Sequence, residues 1–177
     1  MNQPITIESS KSKLTLILIA SLAFSGLGIF ALIFGVIEED IPIIICAVII
    51  LAFFGFATNF MIKKLKDKTP GIIIDQKGVH DNTSGVSVGL ISWNDIENIR
   101  IENVLSSKFI VIDVKNPDDY LEKIKSPLMK RAAKTNVNLV RSPLTISANS
   151  LEIGLDELFK LITDQALAQG ISINEVY

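Results

Sequence analysis

The residues of this chain with the clearest chemical potential lie in one basic segment. Between Lys123 and Arg141 the sequence contains six Lys and Arg residues and no Asp or Glu. Apolar residues run through the same segment at helical spacing, which predicts a basic amphipathic helix. Near a membrane such a helix attracts anionic headgroups, at about 1 kcal/mol for each Lys or Arg close to the surface. The candidate contacts with anionic lipid are Lys123, Lys125, Lys130, Arg131 and Lys134.

The same segment has an alternative interpretation, in which its basic residues are a solvated face on helices that only cover a sheet. Asn116-Pro117-Asp118 predicts the start of a helix that ends near Ile124. Ser126-Pro127 predicts an N-cap followed by proline at the first helical position of a second helix. We therefore place a helical insertion at residues 117–135.

Few residues of this chain are suited to catalysis or metal binding. His80 is the only histidine and Cys46 the only cysteine. A disulfide within the chain and a thiolate metal cluster are thus excluded. His80 has no recognisable motif beside it, and we interpret it as an ordinary strand residue. We predict no catalytic residue, no metal and no cofactor.

A second group of residues, Gly89, Trp93 and Asp95, is predicted to be structural. The indole of Trp93 is expected to fill the core, packed against the C-terminal helix. The Asp95 carboxylate is expected to cap the turn between two strands by accepting backbone N–H groups.

Two long apolar runs, at residues 14–37 and 41–62, decide the class of protein. Each reaches the roughly 20 residues needed to cross a bilayer, and neither contains a charged residue or histidine. They predict a transmembrane hairpin over residues 14–62. A signal peptide is the alternative for the first run, but cleaved apolar cores usually have only about 7–15 residues.

The lysines around these runs predict the orientation. Lys11 and Lys13 precede the first run, four lysines follow the second, and the loop Glu38-Glu39-Asp40 has none. Positive flanks resist translocation, so both termini should be cytoplasmic. Residues 1–13 are predicted to be a flexible N-terminus.

Small residues in the apolar runs predict close packing of the two helices. In the first run they occur in two pairs at four-residue spacing, Ser21 with Ser25 and Ala31 with Gly35. The second run contains Ala47, Ala52, Gly55 and Ala57. A dedicated face for a homo-oligomer is the more specific interpretation of this pattern.

From residue 69 to 177 the pattern becomes short strands separated by turns. Of the 17 Lys and Arg and 19 Asp and Glu residues, two and four precede residue 63, which leaves 15 of each. This balance argues against bulk nucleic-acid binding. Strands are predicted at 71–75, 79–81, 86–93, around 99–101, at 109–114 and at 144–148, and an amphipathic helix from Leu155 to Gly170. The fold class is α+β, with an antiparallel β-barrel or sheet after the hairpin.

The stretch Gly89-Leu90-Ile91-Ser92-Trp93-Asn94-Asp95-Ile96 resembles the Ile-x-Trp-x-Asp-Ile signature of bacterial pleckstrin-homology-like (PH-like) domains. Two spans ahead of such a domain resemble a family of small bacterial inner-membrane proteins. The resemblance implies a PH-like cytoplasmic domain at 69–177 and a multi-pass protein of the bacterial plasma membrane. It also implies a non-catalytic binding or scaffolding role, without carrying over phosphoinositide binding.

Three functional classes follow from these patterns. The first is a membrane-anchored interaction module that binds a protein partner or the anionic membrane surface. The second is an oligomerising envelope-stress, immunity or accessory protein that acts through its transmembrane helices. The third is an enzyme acting on lipid, which would require His80 to be buried beside two carboxylates.

Overall fold

The computed structural model describes residues 3–84, 86–104, 106–124, 126–171 and 173. The chain divides into two units: Ser10–Lys68 is one, and Met1–Ser9 with Thr69–Tyr177 is the other. We call the first unit the hairpin and the second the strand domain.

The hairpin consists of helices α1 (Lys11–Ile37) and α2 (Ile41–Lys66). Both are long and apolar enough to cross a membrane. Within an apolar stretch of 18 residues in each helix, only 11% of the residues in α1 and 6% of those in α2 are buried. The turn between them is short because Glu39 adopts a left-handed conformation (φ 54°). Asp40 then caps α2, its carboxylate accepting the backbone N–H of Ile43 at 3.1 Å.

Small residues line part of the contact between α1 and α2. Of the residues predicted for it, Ser21, Gly35 and Ala47 are buried, whereas Ala52 and Gly55 are exposed. Gly28 joins Ser21 and Gly35 at seven-residue spacing, the repeat of left-handed helix pairs. The Ser21 and Thr58 hydroxyls are 2.9 Å apart. A Cβ atom on Gly28 would lie 3.0 Å from the Leu51 side chain, so glycine at this position favours close approach of the two backbones.

The strand domain contains two antiparallel sheets. The first has the order β1 (Ile5–Ile7), β2 (Ile72–Ile74), β3 (Gly78–Asp81) and β4 (Gly89–Ser92). Gly78 is required where β3 meets β4, because a Cβ atom there would lie 1.9 Å from the Ile91 carbonyl oxygen. A 3-10 turn at Trp93–Asp95 follows β4.

The second sheet has the order β5 (Ile96–Val104), β6 (Ser107–Val114) and β7 (Leu144–Ile146). Ile110, Val111 and Ile112 on the central strand β6 are all fully buried. Consecutive residues of a strand point to opposite faces, so both faces of this sheet are covered, as the apolar run predicts.

Three helices complete the strand domain: α3 (Pro117–Lys123), α4 (Pro127–Val140) and α5 (Leu155–Ala168). Leu158, Ile162 and Ala166 of α5 are buried in one core with side chains from both sheets. Trp93 belongs to the same core and is 5% exposed, which agrees with its expected burial.

The N-terminus differs from its prediction as a flexible segment. Ile5–Ile7 pairs antiparallel with Ile72–Ile74, and Ile7 is buried in the core. Glu8 continues this edge, its carbonyl accepting the backbone N–H of Glu152 at 3.2 Å. In the sequence, the hairpin therefore lies between β1 and β2, two strands that are neighbours in one sheet.

Three smaller differences concern boundaries and closure. The strand predicted at 86–93 is limited to Gly89–Ser92, and the insertion continues to Val140 because α4 is longer than predicted. The described strands form two separate sheets, so the closed PH-like barrel is not confirmed. The coarser α+β class, with two apolar helices, antiparallel sheets and a C-terminal helix, is confirmed.

Candidate functional site

Helix α4 carries most of the predicted basic site, and its orientation is fixed at both ends. The Ser126 hydroxyl caps it by accepting the backbone N–H of Met129 at 3.5 Å. Its buried face includes Ala133 and Val140, and Ala133 packs with Leu121 of α3. Asn136 donates to the Thr145 hydroxyl on β7 at 3.1 Å. The opposite face of α4 is thereby held toward solvent.

One side of that outward face is apolar. Leu128, Ala132 and Leu139 are exposed, the two leucines at 62% and 59%. At 100° per residue the three side chains lie within about 40° of one another around the helix axis. We call these three residues the leucine stripe.

Two of the basic residues lie on one side of the leucine stripe. Arg131 and Lys134 are exposed, about 80° and 140° around the helix axis from the centre of the stripe. Lys130 is half-buried and lies about 180° away, on the opposite side of the helix. No acidic residue occurs on α4 or in the segment that leads to it from Lys123. The structure thus places three of the five predicted contacts on α4, two of them on the same side of the stripe, while Lys125 lies outside the described residues.

Lys123 is on α3 and has a different neighbour. Its Nζ atom lies 3.8 Å from the centre of the Tyr120 ring, the geometry of a cation–π contact. Sequence spacing placed Lys123 with the α4 residues, but the break between the two helices separates it from the leucine stripe.

Tyr120 also explains the role of Asp95. The buried Tyr120 hydroxyl donates to the Asp95 carboxylate at 2.7 Å and accepts the backbone N–H of Ser92 at 3.3 Å. Burial, together with the hydrogen bond to Asp95, raises the pKa of Tyr120 to about 12, so the phenol stays a neutral donor. The described partner of the Asp95 carboxylate is therefore a tyrosine on α3, where the sequence predicted the backbone N–H groups of a turn.

Trp93 is tied to the start of the sheet by its indole N–H, which donates to the Asp75 carbonyl at 2.8 Å. The Asp75 carboxylate accepts the backbone N–H groups of Lys77 and Gly78, at 2.8 and 3.1 Å. His80 Nε2 lies 3.2 Å from the same carboxylate. Burial alone would raise the pKa of Asp75, but these contacts outweigh it and lower the pKa below its ordinary value.

Gly89, the third residue of the predicted structural group, begins β4 in a left-handed conformation (φ 76°). A side chain there would meet no atom within 4 Å, so the requirement is one of backbone conformation.

An ion cluster around Arg100 is the feature that sequence reasoning missed. Its guanidinium donates to both Asp113 oxygens, at 2.9 and 3.2 Å, to Glu102, and to the Val140 carbonyl at 2.6 Å. The hydrogen bond to Asp113 raises the pKa of Arg100 above its usual value. Arg100 thereby connects the sheet to the end of α4. The helix ends at Arg141, whose backbone adopts a left-handed conformation (φ 61°).

The alternation along β5 and β6 could have revealed this cluster. Asn98, Arg100 and Glu102 point to one face of the sheet, and Asp113 is the one charged residue in the apolar core of β6. A cleft of about 820 Å³ opens beside the cluster and ends at Arg141 and Ser142. The residues that line this cleft carry both positive and negative charges, and those around Arg100 are already paired with each other. The lining therefore does not indicate a class of ligand.

His80 is the histidine around which a reactive centre would have to form. Among the described residues it lies within 4 Å of one carboxylate, that of Asp75, and its side chain is 36% exposed. Among the residues described by the structure, no group of three or more His, Cys, Asp or Glu side chains could hold a metal ion. A lipid-acting enzyme would require a buried His80 beside two carboxylates. The described surroundings of His80 differ from this arrangement.

Comparison of the chain with protein-family models, with curated proteins and with solved structures finds no match. The bacterial PH-like resemblance therefore stays a prediction from the residues that carry it.

Proposed function

We propose that this protein is a non-catalytic, membrane-anchored interaction module. In this proposal α1 and α2 span the bacterial inner membrane as a hairpin, and both termini are cytoplasmic. The strand domain, of PH-like architecture, is held at the cytoplasmic surface, where it binds a protein partner or the membrane surface.

The observation that carries the proposal is the insertion of the hairpin between β1 and β2. These strands are neighbours in one sheet, so the two ends of the hairpin return to the same folded domain. An even number of spans satisfies this requirement. The positive flanks, Lys11 and Lys13 before α1 and the lysines at the end of α2, favour the cytoplasm as that side.

The strand count supports the PH-like part of the proposal. Sheets of four and three strands, followed by one helix packed into their common core, are the elements expected of that architecture. The first of its seven strands would be β1, placed before the spans.

The competing function, in which the spans act through oligomerisation, has less support. Ser21, Gly28 and Gly35 already pack against α2 of the same chain. Ala52 and Gly55 are exposed, but no other described feature accompanies them.

Cysteine labelling in intact bacterial cells tests the proposal, in a Cys46→Ala background. Cysteine introduced at Glu39 should react with a membrane-impermeant maleimide, whereas cysteine at Thr6 or Asn103 should react only after permeabilisation. These three positions are exposed in the structure. Opposite accessibility of Thr6 and Asn103 would exclude the hairpin topology, and a shielded Glu39 with a reactive Asn103 would exclude the cytoplasmic placement.

A further inference from the structure

The leucine stripe is an unusual surface for a folded domain. Outside the hairpin, three large apolar side chains are strongly exposed among the described residues: Leu128, Leu139 and Leu167. Two of these three lie on the same stripe of α4. Single exposed leucines need no explanation, but an aligned pair beside a basic flank marks an interaction surface.

The charge beside the stripe selects the chemistry of the partner. Arg131 and Lys134 are exposed on one side of it, and the acid-free segment continues to Arg141. Apolar side chains at the centre with long basic side chains at the border match a bilayer surface, where leucine enters the acyl boundary and Arg or Lys reaches the headgroups.

The stripe is presented on a rigid support. The cap at Ser126, the bond from Asn136 to Thr145 and the bond from Arg100 to the Val140 carbonyl hold α4 along its length. The stripe does not have to be ordered on docking, so little conformational entropy is lost.

Two short segments join the strand domain to the hairpin. Residues 67–71 join α2 to β2 and can span at most about 18 Å when fully extended. Residues 8–10 make the other connection. A short tether converts docking on the bilayer into an intramolecular event with a high effective concentration.

We propose that the leucine stripe, with Arg131 and Lys134, is a docking surface for an anionic lipid bilayer. This inference rests on the proposed function, in which the hairpin spans that bilayer, and it names the partner of the module. Leu128 and Leu139 enter the acyl boundary, and the two basic side chains contact the headgroups. Lys130 is outside this surface because it lies on the opposite side of α4. Lys123 is outside this surface because it lies over Tyr120.

The test uses the full chain, with Cys46→Ala, in nanodiscs that contain quencher-labelled lipid. An environment-sensitive fluorophore is attached to cysteine introduced at Ala132, at the centre of the stripe. In discs rich in phosphatidylglycerol the label should be quenched and blue-shifted. Both signals should decrease in phosphatidylcholine discs and as salt is raised, because the Debye length falls from about 8 Å at 0.15 M to about 3 Å at 1 M. A label at Glu157, an exposed position on α5, is the positional control.

Charge variants with matched controls separate specific docking from net charge. Replacing Arg131 and Lys134 together by Gln should lower the docking equilibrium on the order of 25-fold, at roughly fivefold per residue. Replacing Lys77 and Lys108 by Gln removes the same charge from exposed positions elsewhere and should leave quenching unchanged. Leu128→Gln with Leu139→Gln should reduce the blue shift.

Four results would overturn the inference: no quenching at Ala132, equal quenching in neutral and anionic discs, equal effects of the two charge variants, or cross-linking of the stripe to a protein partner in place of lipid. The accessibility of Glu39 is measured on the same chain. If Glu39 is accessible and Ala132 is not quenched, the docking inference fails while the membrane-anchored module stands. In intact cells, a shielded Glu39 with a reactive Asn103 contradicts the cytoplasmic placement on which the proposed function rests.

Discussion

The hairpin and the strand domain have opposite interiors, although one chain builds both. Ser21, Gly28 and Gly35 lie inside the hairpin, and its large side chains, such as Phe30 and Phe53, point outward at 69% and 66% exposure. In the strand domain the order is reversed, with Ile72, Ile110 and similar side chains fully buried.

The solvent that each unit requires explains the difference. In water, folding is driven by removal of large apolar surfaces, so isoleucine and leucine belong inside. In lipid there is no such drive between helices, and close backbone approach with interhelical hydrogen bonds stabilises the pair. The packing of the hairpin therefore suits a bilayer, and the packing of the strand domain suits water. Four substitutions test this contrast.

The largest effect is expected in the core of the strand domain. Trp93→Ala removes a buried indole and its bond to Asp75, and it should lower the free energy of unfolding by roughly 3–5 kcal/mol. Pulse proteolysis over a urea series measures the loss in the full chain in detergent. Leu167→Ala, at a residue that is 57% exposed, is the control and should change stability by less than about 0.5 kcal/mol. Equal stability of the two variants would contradict the placement of Trp93 in the core.

A slightly smaller effect is expected at β1. Ile7→Ala should destabilise the strand domain by about 2–4 kcal/mol, because Ile7 is buried beside β2 although it precedes the hairpin. Thr6→Ala lies on the same strand and is exposed, so it should cost about 0.5 kcal/mol or less. The same proteolysis assay compares them. If Ile7→Ala were as mild as Thr6→Ala, the N-terminus would be outside the domain.

In the hairpin the damaging change has the opposite direction, from small to large. Gly28→Leu should force α1 and α2 apart at a cost of about 1–3 kcal/mol, because its new side chain meets Leu51 and Ile50. Gly26→Leu is the control, since a Cβ atom there meets nothing within 4 Å.

The measurement is disulfide formation between cysteines introduced at Ser21 and Thr58, whose hydroxyls are 2.9 Å apart. Gly28→Leu should slow this reaction, and Gly26→Leu should not. Equal rates would show that the hairpin interior is as tolerant as its surface.

The smallest effect concerns pH and the first turn of the domain. The pKa of Asp75 is lowered in the folded state, so its contribution to stability is present above the ordinary aspartate pKa and is lost as pH falls through the folded value. Because the side chain is partly exposed, we expect less than about 1 kcal/mol. The stability difference between the native chain and Asp75→Asn should therefore shrink toward zero below about pH 3.9. A difference that grows on acidification would contradict this role.

Local patterns predicted the elements well where the signal is contained in one segment. The apolar runs gave the positions of α1 and α2, Ser126-Pro127 gave the start of α4, and the run at 109–114, apolar except at Asp113, gave the central strand. In each case the deciding information lies within one continuous segment of the chain.

The sequence by itself determined the two apolar helices, the α+β class and the presence of a basic amphipathic segment, because periodicity and capping act between residues close in the chain. Tertiary structure alone decided that Ile5–Ile7 completes a sheet with strands from beyond the hairpin, since a three-residue strand carries almost no local signal and is formed by its pairing. It also decided that Asp95 receives the Tyr120 hydroxyl and that Leu128 and Leu139 remain outside. These outcomes depend on which distant surfaces are left to cover one another once the local elements have formed.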